Sequence, residues 1–359
     1  MPDQPDSLVP IPQDLDDFPE TLERQAPGQT ALYLAGQAAN RAATHAIFED
    51  YRSRRSWNTL RRQYGDLGLF ERFLAEAGVK TSRDHLISIP DAWRGVTWGL
   101  VEGFKRWMLQ MGYATGSVNI RLSTIKTYAG LAAKAGIVDP EVYALIRSVN
   151  GYSRGEARRI DQKRSRVRVG DKKPAPVRLT PADALTLLDQ PQTPQGRRDQ
   201  LMMCLLLEHG LRCGELAALR VENIDLERGL LQFFRPKVNK EQIHRLTPRT
   251  YRAALAYFEH GDVPEGGALL RRSLKNGKLG RVGLTERGLT KRVRFLGKLL
   301  GIRGLSAHDC RHYWATRAAR SGTDAFALQE AGGWTSLAMP RRYVEAAQIA
   351  NQGIKGFED

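Results

Sequence analysis

Residues 154–173 constrain this chain more than any other stretch. Nine lysines or arginines and three acidic residues crowd into it, and it runs on into Gly170-Asp-Lys-Lys-Pro-Ala-Pro176. Large apolar side chains are nearly absent, so the segment cannot bury a core of its own. A chain of 359 residues interrupted in this way is long enough for two cores, one on each side. The expected boundaries are a flexible tail over 1–30, a helical domain over 31–153, a basic linker over 154–177 and a second domain over 178–359. A basic linker can lie along a polyanion or act as a plain solvated tether, and composition does not choose between them.

Charge narrows the class of partner. Lys and Arg number 55 against 39 Asp and Glu, a formal net charge of +16. That excess predicts a polyanionic partner. A membrane surface is the competing reading, but no basic amphipathic anchor stands out, and no apolar run approaches the ~18 residues of a span. The first residues, Met1-Pro-Asp-Gln-Pro-Asp, are acidic and Pro-rich, unlike a signal peptide. Three cysteines, Cys204, Cys213 and Cys310, lack metal-ligand spacing and predict reduced thiols in a cytoplasmic compartment.

The first half reads as helices. Leu60, Tyr64, Leu67, Phe70, Phe73 and Leu74 recur at three- and four-residue steps, and Trp98, Val101, Phe104, Trp107 and Met108 mark a second helix. Gly112-Tyr-Ala-Thr-Gly-Ser117 breaks the chain, and Ser117 is a candidate cap for the helix that follows. In that helix Val118, Leu122, Ile125, Ala129 and Ala132 share one face, and Asn119, Ser123, Lys126 and Gly130 the other, flanked by Arg121 and Thr127. A small polar face with long cations suits a DNA groove, so Ser117, Asn119, Arg121, Ser123 and Lys126 are candidate DNA contacts; a solvated face is the alternative.

The second half mixes helices with a hairpin. Thr180 and Pro181 open a helix as N-cap and first residue. A buried helix is expected from Asp199 to His209, stopped by Gly210, and another from Cys213 to Leu219. Gly229–Arg235 and Gln242–Thr247 read as strands joined by a turn at Pro236–Lys240. A helix over Pro248–His260 precedes a basic, Gly-rich loop at Arg271–Gly283, and the remainder is helical. The fold class expected is mainly α with a small β-sheet.

Near the C-terminus, Ser306-Ala-His-Asp-Cys-Arg311 sets a histidine and an arginine one helical turn apart. Gly333-Trp334 and Arg341-Arg-Tyr343 follow. A cationic clamp beside a phenol suits attack on a phosphodiester. Earlier, Leu206-Leu-Glu-His-Gly-Leu-Arg212-Cys-Gly-Glu215 and the hairpin turn with Lys237 complete an ordered set. Over about residues 178–350 this pattern resembles the catalytic domain of the tyrosine recombinases, the phage-integrase and Cre-like family. The helices before the linker resemble that family's core-binding domain more weakly.

The resemblance implies a two-domain fold: a helical, SAM-like core-binding bundle and an α+β catalytic domain, closing as a C-shaped clamp on duplex DNA. It implies site-specific recombination at inverted-repeat targets, through a 3′-phosphotyrosyl enzyme and a Holliday junction. The protein would be a homotetramer on DNA and a monomer or weak oligomer when free, nucleoid-associated in the cytoplasm, with no cofactor and no metal. A helix after Tyr343, Val344–Asn351, would pack on a neighbouring protomer.

By the same resemblance Arg212 and Arg311 hold the phosphate, and two guanidinium forks suit its developing charge. His308, in the first helical turn after Ser306, would bond the phosphate and handle the phenol's proton. Glu215 would orient the catalytic arginine and histidine, with an ordinary helix ion pair to Arg212 as the alternative. Trp334 can offer only its indole N–H. Tyr343 is the nucleophile candidate; a free phenol is only about 0.1% ionised at pH 7, a cost of roughly 4 kcal/mol that the cationic cluster is expected to lower. Lys237 is the general-acid candidate for the leaving 5′-oxygen, with Lys240 its competitor and a candidate DNA contact. Cys310 stands where leucine is usual, and Cys213 is either a core residue or a low-pKa thiol. A catalytically idle DNA-binding regulator, or an enzyme of the type IB topoisomerase or telomere-resolvase kind, are the rival readings.

Overall fold

The computed structural model describes residues 31–164, 177–263 and 265–347, with the side chains of His45, Ala346 and Ala347 excepted. The expected tail over 1–30 and the C-terminal helix beyond Ala347 lie outside the described residues. The chain divides into two compact units, residues 1–172 and 173–359, each with its own apolar cluster. Both are mainly helical, and the second holds two small antiparallel sheets.

The first unit contains α1 (Ala31–Ser53), α2 (Trp57–Glu76), α3 (Arg83–Ser88), α4 (Trp98–Gln110), α5 (Thr115–Lys134), α6 (Pro140–Ser148) and α7 (Arg154–Lys163). Of the periodic residues in α2, Leu67, Phe70 and Leu74 are buried; in α4, Val101, Phe104 and Met108 are. Trp98, expected on the same stripe, is exposed at the start of α4. The 3-10 turn Pro90–Trp93 supplies an aromatic that periodicity did not reveal. Trp93 is fully buried, stacks near Phe70 and Tyr128, and donates its indole N–H to Leu86 O at 2.9 Å.

Helix α5 corrects two expectations. It starts at Thr115, with Ala114 as N-cap and no side-chain cap. Ser117 is already inside the helix, its N–H bonded to Ala114 O at 2.8 Å, so it has no capping role. The apolar face is as expected: Val118, Leu122, Ile125, Ala129 and Ala132 are buried. The polar face is not simply open. Asn119 donates to Tyr152 O and accepts from Tyr152 N, both at 2.8 Å, which pins the chain after α6. Lys126 donates to Arg147 O at 2.8 Å, and burial lowers its pKa. At Gly130 an added Cβ would lie 2.6 Å from Tyr143 Oη, so α6 approaches α5 on that side. Arg121 packs over the Tyr113 ring at 4.5 Å and faces Asp66. Ser123 alone of these candidates is exposed.

The expected linker is helical in its first half. Ser153 and Glu156 form a reciprocal capping box that starts α7, satisfying end N–H groups that would otherwise go unbonded. After it, Arg164 donates to the carbonyls of Leu109 and Tyr113. No residue of α7 is buried, in keeping with its lack of apolar side chains. The stretch 165–176 lies outside the described residues.

The second unit runs α8 (Pro181–Leu188), α9 (Pro194–Leu207), α10 (Cys213–Ala218), β1 (Ile224–Asp225), β2 (Leu230–Arg235), β3 (Lys240–Arg245), α11 (Pro248–Glu259), β4 (Arg271–Ser273), β5 (Leu279–Gly283), α12 (Glu286–Leu299), α13 (Ala307–Arg320), α14 (Ala325–Gly332) and α15 (Ala338–Ala347). Helix α9 is its axis: every residue from Leu201 to Leu207 is fully buried, as its apolar run requires. Strands β1, β2 and β3 form one antiparallel sheet, with Arg235 opposite Lys240. The turn is therefore 236–239, closed by Asn239 at φ 48°, and Lys240 belongs to the strand. The basic Gly-rich stretch expected as a loop is a second hairpin, β4–β5, which turns at Gly277 with φ 82°. Its pairing is not visible in the sequence because the short strands, Arg271–Ser273 and Leu279–Gly283, carry three arginines and two glycines and no alternating apolar pattern.

Candidate active site

Four elements of the second unit converge on one cluster of arginines. Arg212 caps α10, and its position there follows from Gly210, whose φ of 64° turns the chain out of α9. The Arg212 N–H donates to Glu215 Oε2 at 2.9 Å, and its guanidinium donates to Glu215 Oε1 at 2.6 Å and to Gly333 O at 2.7 Å. Glu215, in the first turn of α10, is only 3% exposed while the Arg212 side chain is 25% exposed. The guanidinium is thus held from behind by a buried carboxylate, with part of it open to solvent.

Arg311 arrives from α13. Ser306 and Asp309 form the capping box that starts this helix, as the expected N-cap required. That places His308 in the first turn and Arg311 one turn on, 4% exposed. Arg311 donates to Gly210 O and Gly332 O and lies over the Trp334 ring at 4.4 Å. Burial, with the neighbouring guanidiniums of Arg212 and Arg235, pushes its pKa down to about 9. Three cations near one carboxylate leave the cluster with a surplus of positive charge, which is what an anion site needs.

Helix α14 ends at Gly333, in the left-handed region at φ 57°. A Cβ there would strike Arg235, and one on Gly332 would lie 1.9 Å from the Trp334 ring. The glycines let Trp334 fold back under Arg311 and stack on Trp314, with ring centres 6.1 Å apart. Trp334 in turn contacts Tyr343 on α15 at 5.9 Å between ring centres.

Tyr343 is half-buried. Burial raises its pKa above the ordinary phenol value, and the nearby charges of Arg311 and Arg342 only partly offset this. The expected lowering by the cationic cluster is therefore outweighed by loss of water around the ring. The hydroxyl is 2.6 Å from His312 Nδ1. His312 also stacks edge-on with His308, whose ring centre is 4.5 Å away, so the three rings form a row along α13. His308 itself is exposed.

Lys237 and Lys240 separate clearly. Lys240 pairs with Glu330 at 2.5 Å. Lys237 sits exposed in the turn and makes no ion pair with a described residue. The cysteines are packing residues: Cys310 and Cys204 are buried, and burial raises the thiol pKa of Cys213, which contacts Glu286 O and Thr290. Among the described residues no group of three or more His, Cys, Asp or Glu could hold a metal ion, and no helix is long and apolar enough to cross a membrane.

Residues 177–349, the stretch that holds all of this geometry, match the family model of the phage integrase family. The chain is 28% identical over 260 residues to the tyrosine recombinase XerC of Roseiflexus castenholzii, covering 70% of this chain and 75% of that one. It is 26% identical over 313 residues to XerD of Pseudomonas putida, covering 83% and 89%. This chain belongs to the tyrosine recombinase family. Its fold also matches a lambda integrase dimer bound to a COC′ core site, with a TM-score of 0.54 at 15% identity over 92% of this chain and 85% of that one.

In this tyrosine recombinase, then, Arg212, Glu215, Arg311, Trp334 and Tyr343 meet as the resemblance implied, with His308 at the rim and Lys237 on its turn. Sequence reading missed Arg235 and His312. His312 had a signal: it follows Arg311 and lies four residues from His308, hence on the same helical face. Arg235 had none, because a strand-end arginine beside a basic turn reads as solvated.

Proposed function

We propose that this protein is a site-specific DNA recombinase that cleaves and rejoins duplex DNA through a 3′-phosphotyrosyl intermediate. The observation that carries this reading is the convergence of Arg212, oriented by the buried Glu215, and the buried Arg311 on the carbonyls of Gly333 and Gly332, with the Tyr343 hydroxyl on a histidine nitrogen and its ring against Trp334, which lies under Arg311. Arg212 and Arg311 would bind the non-bridging oxygens of the scissile phosphate, stabilising the charge that grows there in the pentavalent transition state. Glu215 would hold Arg212 in place from behind. Trp334 would pack under Arg311 and offer its indole N–H to the phosphate.

Tyr343 Oη would attack phosphorus as its proton passes to a histidine. His312 is already within reach at 2.6 Å, and His308 lies next to it. The P–O5′ bond breaks and the leaving 5′-oxygen takes a proton, which Lys237 would supply; Lys240, in an exposed pair with Glu330, is its competitor. A 5′-hydroxyl from a second strand would then attack the phosphotyrosine, restoring the phosphodiester without an external energy source. Strand exchange of this kind would pass through a Holliday junction in a homotetramer on inverted-repeat sites. Contact with DNA by the first unit would fall to the groove of α5 and α6, where Ser123 and Lys126 line an open depression with Asn119 and Tyr143.

The deciding experiment is a nicked suicide substrate that traps the covalent complex. A denaturant-resistant adduct mapped to Tyr343 by mass spectrometry supports the enzyme reading. DNA binding with no adduct would favour a binding regulator on the same fold. Lys237→Ala is expected to cleave normal DNA slowly and to recover on a 5′-bridging phosphorothiolate, whose thiolate leaves without a proton. Failure to recover would remove Lys237 from the acid role. Binding is expected to weaken steeply with salt, with a log–log slope of about −0.9 per phosphate neutralised. A flat salt response would contradict an interface that tracks the backbone.

A further inference from the structure

Arg235 is the least exposed charged side chain of the cluster, at 0%, and nothing in the proposed chemistry uses it. It sits at the end of β2, two residues before Lys237. Its Nε donates to Gln242 Oε1 across the hairpin. Its Nη1 donates to both oxygens of Glu215, at 3.1 and 2.9 Å, and to Gly332 O at 3.1 Å. Its Nη2 donates to Ala331 O at 2.8 Å. A buried guanidinium is tolerated only when its donors are met in this way.

The partners matter more than their number. Glu215 is the carboxylate that orients Arg212. Gly332 O is also the acceptor for Arg311, and Gly333 O for Arg212. Three guanidiniums thus gather the unpaired carbonyls at the C-terminal end of α14, the end where cations are favoured. Trp334 follows that end directly. We infer that Arg235 is a positioning residue, a hidden brace that fixes Arg212 through Glu215, fixes the turn carrying Trp334 beneath Arg311, and ties both to the hairpin that carries Lys237. It touches neither Tyr343 nor the surface, so it works through the groups it holds.

Lysine cannot replace it in this role. One ammonium at the end of a flexible stem cannot meet Glu215, two carbonyls and Gln242 together, whereas the planar fork does. The space is also closed: a Cβ on Gly333 would lie 2.5 Å from Arg235 Cδ, so the arginine and that glycine fit as a pair.

The inference rests on the proposed roles of Arg212, Arg311 and Lys237, and the test separates the two. Arg235→Met and Arg235→Lys would be compared with wild type for DNA affinity, for single-turnover adduct formation on the suicide substrate, and on the 5′-phosphorothiolate. Wild type forming no adduct overturns the proposed function itself. With wild type active, both variants are expected to bind DNA within about threefold of wild type and to form adduct on the order of 100-fold more slowly, the size of loss that follows an ångström-scale misplacement. The phosphorothiolate should not restore them, because the arginines as well as the lysine are displaced. Full rates in Arg235→Lys, or rescue of Arg235→Met by the phosphorothiolate, overturns the brace. Should neither variant fold, Gln242→Leu removes a single acceptor of the same arginine. Its adduct rate is expected to fall roughly tenfold, at the low end for lost orienting partners, and an unchanged rate overturns the inference.

Discussion

Tyr343→Phe is expected to form no covalent adduct with a suicide substrate while still binding DNA. The phenyl ring keeps its packing between His312 and Trp334, so α15 should stay in place. What disappears is one hydroxyl and its hydrogen bond to His312, worth roughly 1 kcal/mol, so affinity should stay within about fivefold. Cleavage cannot survive, because no other hydroxyl or thiol in the described site meets the cluster: Cys213 packs on α12 with its thiol pKa raised by burial. Gel shift and denaturing electrophoresis on the same DNA read the two outcomes. An adduct formed by Tyr343→Phe would move the nucleophile to another residue and undo the assignment.

The second large effect separates the two arginines. Arg212→Leu and Arg311→Leu are each expected to slow adduct formation by at least about 10²–10³, the cost of one donor to a developing oxyanion. Their stabilities should differ. Arg311 is buried, and its loss leaves the carbonyl of Gly210 without its donor and that of Gly332 with Arg235 alone. Relief of the buried charge offsets part of this, for a net loss of about 2 kcal/mol. For a domain of this size that is a fall of roughly 4–8 °C in Tm. Arg212 is a quarter exposed and Glu215 keeps Arg235 when it goes, so Arg212→Leu should cost no more than about 1 kcal/mol. Thermal melts of the two variants check this. Equal Tm values would mean that Arg311 is no more built into the fold than Arg212.

Much of the site was legible because its residues mark the ends of helices. Ser306 and Asp309 announce the start of α13, and the helical period then brings His308 and Arg311 onto one side. Arg212 and Glu215 are likewise three apart at the start of α10. Local rules of capping and period decide such pairs, and they act within a few residues. The polar face of α5 shows where such rules stop. Its spacing was read correctly, yet Asn119 and Lys126 bond backbone carbonyls of the chain around α6, a partner that no periodicity in α5 specifies. The hairpin β4–β5 lies outside such rules too, since its short strands carry three arginines and two glycines and show no alternating apolar pattern.

The sequence by itself determined the two-part layout, the helical character, the apolar stripes of α2, α4, α5 and α9, and the order of motifs that marks the family. These depend on local period, capping and composition, which a linear chain displays. Only the tertiary structure decided the rest. It put Arg235 behind Glu215, although 20 residues separate them, and set that arginine on carbonyls almost 100 residues further on. It put His312 on Tyr343, and it showed that burial of the phenol outweighs its cationic neighbours. Desolvation and long-range hydrogen bonding depend on what surrounds a group in space, so they become readable only when the chain has folded.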